Sequence, residues 1–174
     1  MRILGIDPGI AIVGWGVIDY ERSSLRAVDY GSITTTPDMS IENRIAAVYH
    51  GMQHLFSTYH PDAMSVEELF FNTNQKTGII VAEARGVILL SAVEAGVPIA
   101  EYTPLQIKQS VVGYGRAEKQ QVIAMVTQFL HLQKPPKPDD TADALAAAIT
   151  HAYTGSSRLA QVYNKPTEMN NRVR

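Results

Sequence analysis

The stretch Arg2-Ile3-Leu4-Gly5-Ile6-Asp7-Pro8-Gly9 reads as a short buried strand that ends on an acid and cannot continue. Ile3, Leu4 and Ile6 form its apolar run, and Pro8-Gly9 is a turn signal. Asp7 is therefore the last strand residue, at a strand end, where open sheets place their sites. A carboxylate beside apolar groups is costly unless a positive partner joins it, and a divalent cation would meet that need. An acid that only caps the turn through backbone hydrogen bonds would leave the same pattern.

The segments that follow build a sheet around that strand. Ile12 to Asp19 is expected as a second strand, joined by a turn short enough for an antiparallel hairpin. Arg22-Ser23-Ser24 turns the chain again, and Ala27 to Thr35 is a third strand ending in a β-branched run. Three strands joined by short turns make a meander. Ser40 then opens a helix to about Tyr59, with Ile45, Val48, Met52, Leu55 and Phe56 on one face. His50 and His54 lie one turn apart on it, but no H-E-x-x-H pattern surrounds them, and a solvated face accounts for both. Ala63 to Glu67 is a further strand that ends in acids, Glu67-Glu68. The loop Phe70-Phe71-Asn72-Thr73-Asn74 follows directly, so its aromatics are candidates for base stacking as well as for anchoring the loop.

A helix from about Lys76 to Ala95 is apolar nearly all round, which calls for burial on a second side, as in the centre of a fold or against another subunit. Pro98 to Tyr102 is the fifth strand. Thr103 then caps a helix with Pro104 at its first position and Gln106 placed to close a capping box; this helix carries Lys108. Gly113-Tyr114-Gly115 is a tight loop and no dinucleotide motif, because Glu118 stands where a third glycine belongs. Ala117 to Leu130 is amphipathic, with Val122, Val126, Phe129 and Leu130 inward. Lys119 lies near its start, beside the positive end of the helix dipole, which disfavours a cation. After Pro135-Pro136-Lys137-Pro138, the stretch from Asp139 starts a helix to about Tyr153. Asp140 and Asp143 share a face of its first turn. Acids are favoured at a helix start in any case, but the body of this helix is nearly all alanine. Small residues let a helix lie close to a sheet and would carry its first acids to the strand ends.

Asp7, Glu67, Asp140 and Asp143 thus come from two strand ends and one helix start. Converging without a cation, they would repel one another and raise their own pKa values. With no cysteine in the chain, thiolate sites are excluded, and oxygen donors suit Mg²⁺ or Mn²⁺ rather than zinc. Two such ions, roughly 3.5–4 Å apart, can activate water and stabilise the leaving oxygen in phosphodiester hydrolysis. The formal net charge of −2 over 174 residues means that any phosphate-binding surface is local. Met1-Arg2 runs straight into a strand without an apolar leader, and no run reaches the roughly 18 residues of a membrane span. A cytoplasmic protein is expected, with one domain over 1–155 and a polar, flexible tail over 156–174.

Four motifs, in order, make the chain resemble the RuvC family of bacterial Holliday-junction resolvases over essentially its whole length. They are Gly5-Ile6-Asp7-Pro8-Gly9, Val66-Glu67-Glu68-Leu69-Phe70, Lys108-Gln109-Ser110-Val111-Val112-Gly113 with Ala117-Glu118-Lys119, and Asp140-Thr141-Ala142-Asp143-Ala144-Leu145-Ala146. The resemblance implies an α/β, RNase H-like fold, with a five-stranded mixed sheet flanked by helices. It implies a Mg²⁺-dependent homodimeric endonuclease, with two ions per site and Mn²⁺ able to substitute, that nicks four-way DNA junctions symmetrically and works alongside RuvA–RuvB. Asp7, Glu67, Asp140 and Asp143 match the family's metal-binding acids. Phe70 matches an aromatic held to stack on a junction base, and Lys108 and Lys119 match basic residues near the catalytic and DNA-contacting surface, Lys119 being the one expected to stabilise charge on the phosphate. Glu68 and Asp139 adjoin two of these acids; motif spacing favours Glu67 and Asp140. Two other classes fit parts of the pattern: a junction-binding scaffold without catalysis, and an actin-like phosphotransferase, which would need a second domain.

Overall fold

The computed structural model describes residues 1–68 and 75–155. Phe70, the rest of its loop to Asn74, and the expected tail over 156–174 lie outside the described residues. The strands are β1 (Arg2–Asp7), β2 (Ile12–Glu21), β3 (Ser24–Thr34), β4 (Ala63–Glu67) and β5 (Ile99–Tyr102). The helices are α1 (Ile41–Tyr59), α2 (Gln75–Glu94), α3 (Pro104–Val112), α4 (Lys119–Phe129) and α5 (Asp139–Gly155). The sheet order is β3-β2-β1-β4-β5. The β1–β2 and β2–β3 pairs are antiparallel, and the β1–β4 and β4–β5 pairs are parallel. This is the mixed RNase H-like sheet expected, meander first.

Local chemistry sets most element ends. Arg22 and Ser23 both take positive φ, 50° and 65°, the geometry of a two-residue hairpin turn whose twist matches its strands. The turn is tighter than expected, so pairing runs out to Glu21 opposite Ser24. The Ser40 side chain accepts from the Asn43 N–H and starts α1. Thr103 and Gln106 close the capping box of α3 reciprocally. Helix α4 begins two residues later than expected, because the Glu118 N–H is taken by the Gln121 side chain and lies outside the helix. His50 and His54 are exposed on α1, consistent with a solvated face. Among the described residues no helix is long and apolar enough to cross a membrane.

Two apolar layers sandwich the sheet. Leu4, Ile6, Val13 and Val17 meet Val48, Met52, Leu55 and Phe56 of α1 and Ala84 and Ile88 of α2. Ile3 and Ile18 meet α3, α4 and α5 through Ile107, Val111, Val122, Val126, Leu145 and Ile149. Side chains alternate between faces along a strand. Gly5 and Asp7 therefore share the α5 face with Ile3. Glu67 shares it with Ser65, whose hydroxyl donates to the Ala147 carbonyl of α5 at 2.7 Å.

Helix α5 lies almost on the backbone of the sheet. A β-carbon on Gly5 would stand 2.0 Å from the Ala144 carbonyl oxygen and 2.9 Å from the Ala148 methyl. One on Gly14 would stand 2.0 Å from the Asp140 carbonyl oxygen, and one on Gly16 would stand 2.4 Å from Leu145 Cδ2. The Thr141 hydroxyl donates to the Gly31 carbonyl at 3.1 Å and fixes the helix start. Gly14→Ala forces the start of α5 off β2. A loss of about 2–3 kcal/mol or more is expected from overpacking of this kind, read as a lower urea midpoint, together with weaker divalent-metal binding by calorimetry.

Candidate active site

Strand register brings the first two acids together. The parallel pairing of Ile6 with Val66 sets Asp7 beside Glu67 at the carboxyl ends of β1 and β4. Gly14 pairs with Asp7 across the hairpin and is also the residue against which the Asp140 backbone rests. The close approach of α5 therefore delivers Asp140, and Asp143 three residues on, to the same strand ends. Lys119, the first residue of α4, completes the group. Its Nζ lies 3.1 Å from Asp143 Oδ2 and 3.7 Å from Asp139 Oδ2. A cleft of about 240 Å³ opens there, lined by Glu67, Pro104, Ile107, Lys108, Lys119, Val122 and Asp143. A larger hollow of about 620 Å³ lies at the other end of the sheet around Met1, Asp19 and Arg26, away from these acids.

The charges in the site are frustrated. Burial, followed by the charges of Glu67, Asp143 and Asp140, pushes the Asp7 carboxyl up to about 8, against the opposing pull of Lys119. Burial and Asp143 push Glu67 up to about 7, while Lys108 and Lys119 relieve it. Burial also holds Asp143 above the usual carboxylate range in spite of its hydrogen bond to Lys119. Burial works against the Lys119 ammonium, yet Asp143, with the more distant Asp139 and Asp140, keeps it above its ordinary value. A cluster of this kind gains by taking up positive charge.

The donor set fits a hard divalent ion: carboxylate oxygens from Asp7, Glu67, Asp140 and Asp143, with no thiolate available. Among the described residues no three acidic or imidazole groups already close on one point as a finished metal shell.

The residues singled out from sequence fall as follows. Asp7, Glu67, Asp140, Asp143 and Lys119 meet at one end of the sheet, and Lys108 lines the cleft. Phe70 lies outside the described residues. The Glu68 N–H continues the ladder to the Tyr102 carbonyl at 2.9 Å. Asp139 is an exposed partner of Lys119, a contact that sequence reading did not supply. Nor did it supply the role of Gly14 and Gly16. The signal was present as a glycine-x-glycine pair on one face of a strand in a chain with an alanine-rich helix.

A family model described as "Crossover junction endodeoxyribonuclease RuvC" matches residues 3–151. The crossover junction endodeoxyribonuclease RuvC of Clostridioides difficile (strain 630) is 58% identical over 154 residues, covering 88% of this chain and 91% of that protein. The solved structure of Thermus thermophilus RuvC superposes with a TM-score of 0.82 at 35% identity, covering 94% of this chain and 98% of that one. T. thermophilus RuvC in complex with Holliday junction substrate superposes with a TM-score of 0.82 at 34% identity, covering 89% and 95%.

The raised Asp7 carboxyl has a consequence for stability without metal. Its ordinary value is 3.8 and its folded value about 8, so the folded state holds a proton that the unfolded state has lost. Stability then falls as pH rises between those values. In EDTA, Asp7→Asn is expected to flatten this fall and to leave the variant more stable than the native chain at pH 8, as checked by urea unfolding across pH.

Proposed function

This chain belongs to the RuvC family of crossover junction endodeoxyribonucleases, and on that footing we propose that it resolves four-way (Holliday) DNA junctions by paired symmetric nicks, with Asp7, Glu67, Asp140 and Asp143 as its metal-binding acids. The observation that carries this assignment is the meeting of two strand-end acids with the start of α5 beside an open cleft. Neither alternative accounts for it. A binding scaffold would gain nothing from acids that repel its polyanionic ligand, and an actin-like phosphotransferase is not the family that the chain matches.

Mg²⁺ is the proposed ion, with Mn²⁺ able to replace it. Two bound ions would acidify water and offset charge on the leaving oxygen. Glu67 and Asp143 line the cleft, with Asp7 beside Glu67 at the strand ends and Asp140 on the first turn of α5. Water attacks the phosphorus in line with the 3′-oxygen; that P–O bond breaks, leaving a 3′-hydroxyl and a 5′-phosphate that a ligase can rejoin. Lys119 enters the same cleft and offsets charge on the phosphate, the kind of electrostatic aid that dominates such sites. Lys108 binds DNA at the cleft wall, and Phe70 stacks on a junction base.

The working unit is proposed to be a two-fold dimer, matching the symmetry of the junction. Helix α2 supports this. Ala84, Ile88 and Ala92 are fully buried against the sheet, whereas Ile79, Leu90 and Val93 are 60%, 52% and 59% exposed. Gly86 lies in open space on the same helix. The spacing 79, 86, 90, 93 draws one stripe along α2, which a second copy would cover. The catalytic unit is residues 1–155, the setting is the cytoplasm, and RuvA–RuvB is the partner complex; family membership supports these last assignments.

Asp7→Asn and Asp143→Asn are expected to bind four-way junctions in EDTA at least as well as the native chain, because phosphate contacts by Lys and Arg set affinity. Both should nick negligibly when Mg²⁺ is added to the same gel-shift samples; near-native nicking would remove the four-acid assignment. Leu90→Lys is expected to turn a micromolar dimer into a monomer by sedimentation with little change in melting temperature.

A further inference from the structure

The cleft needs cations that its acids do not consume. Lys119 is engaged by Asp143 and Asp139. Among the described residues no ion pair holds Lys108 or Arg116. Lys108 lines the cleft; Arg116 is exposed in the loop between α3 and α4.

That loop is held firmly at both ends. Val111 and Ala117 are each 2% exposed. Gly113 caps α3 in the left-handed region, at φ 94°, and turns the chain back. Gly115 lies flat on α3, where a β-carbon would stand 2.0 Å from Leu105 Cδ1 and 3.7 Å from Gln109 Cγ. At 3.6 residues per turn, Leu105 and Gln109 lie on the face of α3 next to that of Lys108 and Pro104, which line the cleft. The loop joins α3, which lines the cleft through Pro104, Ile107 and Lys108, to Lys119, which lines it from the start of α4. Between its anchors Tyr114 is 47% exposed, and Leu105, against which Gly115 packs, is 55% exposed. An exposed aromatic, an exposed aliphatic and a cation, Arg116, that no ion pair holds among the described residues add nothing to the core. Aromatic faces flanked by cations are how proteins hold unpaired nucleotides.

We propose that Tyr114 and Arg116 form a platform for single-stranded DNA on the α3 side of the cleft, Tyr114 stacking on an unpaired base beside the cut and Arg116 meeting an adjoining phosphate. This rests on the reading of the cleft as a junction nuclease. It adds a positioning surface separate from the acids.

The test compares Tyr114→Ala, Tyr114→Phe and Arg116→Ala with the native dimer, each first shown to melt normally. Binding to a four-way junction is measured in EDTA as a function of salt, with 2-aminopurine beside the cut site. Tyr114→Ala should weaken binding roughly 5- to 100-fold, the value of one base–aromatic stack, and should lose the 2-aminopurine quench. Tyr114→Phe should restore both. Arg116→Ala should lower the slope of log affinity against log salt by about 0.7 to 0.9, one phosphate contact. With Mg²⁺, KM should rise far more than kcat falls. Native binding, quench and KM in Tyr114→Ala and Arg116→Ala would overturn the platform, as would dissociation of the dimer by either change, which would mark a protein interface. Asp7→Asn, run alongside, separates the two readings: if it still nicks junctions, the nuclease site itself is misassigned.

Discussion

Everything in the site depends on how closely α5 approaches the sheet. An ordinary helix rides on a layer of side chains. Here Gly5, Gly14 and Gly16 remove that layer on one side, and the small side chains of Ala144 and Ala148 thin it on the other. The helix backbone comes to rest on β1 and β2, and two hydroxyl bonds from Ser65 and Thr141 hold its register. Glycine in a strand weakens it through lost packing and higher unfolded-state entropy. Close backbone contact offsets this by bringing many atoms within dispersion range. The same approach brings the first turn of α5 to Asp7.

The site then works against the stability of its own fold. Asp7, Glu67 and Asp143 are driven toward protonation by burial and by one another, a penalty that a protein selected for stability alone would shed. Strain of this kind gathers at functional sites and is carried by the rest of the structure. The position of Lys119 makes sense in this light. Its place at the start of α4 is unfavourable to the helix dipole, but its ammonium finds Asp143 and Asp139 on α5. The acids at the start of α5 gain from that helix's own dipole, so the end of the helix that approaches the sheet is also the end that tolerates negative charge.

Much of this was legible in the chain because it is local. Pro8-Gly9 ends β1 at Asp7. The caps at Ser40 and at Thr103 with Gln106 start their helices where expected. The four acids were recognisable as residues, as was the all-round apolar character of α2. Element ends moved by one to three residues where a single turn or cap decided them, as at Arg22-Ser23 and Glu118.

What the chain alone left open was everything that depends on two distant segments meeting. The pairing of Ile6 with Val66 is a register between strands some sixty positions apart, and only that register makes neighbours of Asp7 and Glu67. The seating of Asp140 on Gly14 and the pairing of Lys119 with Asp139 join elements that share no local signal. Likewise, only the packed structure shows which stripe of α2 is left uncovered and that Tyr114 is left exposed in the loop that leads to Lys119. Local chemistry determined the elements and the kind of site they could make. Close packing, which responds to shape across the whole chain rather than to neighbours in sequence, decided which residues complete it.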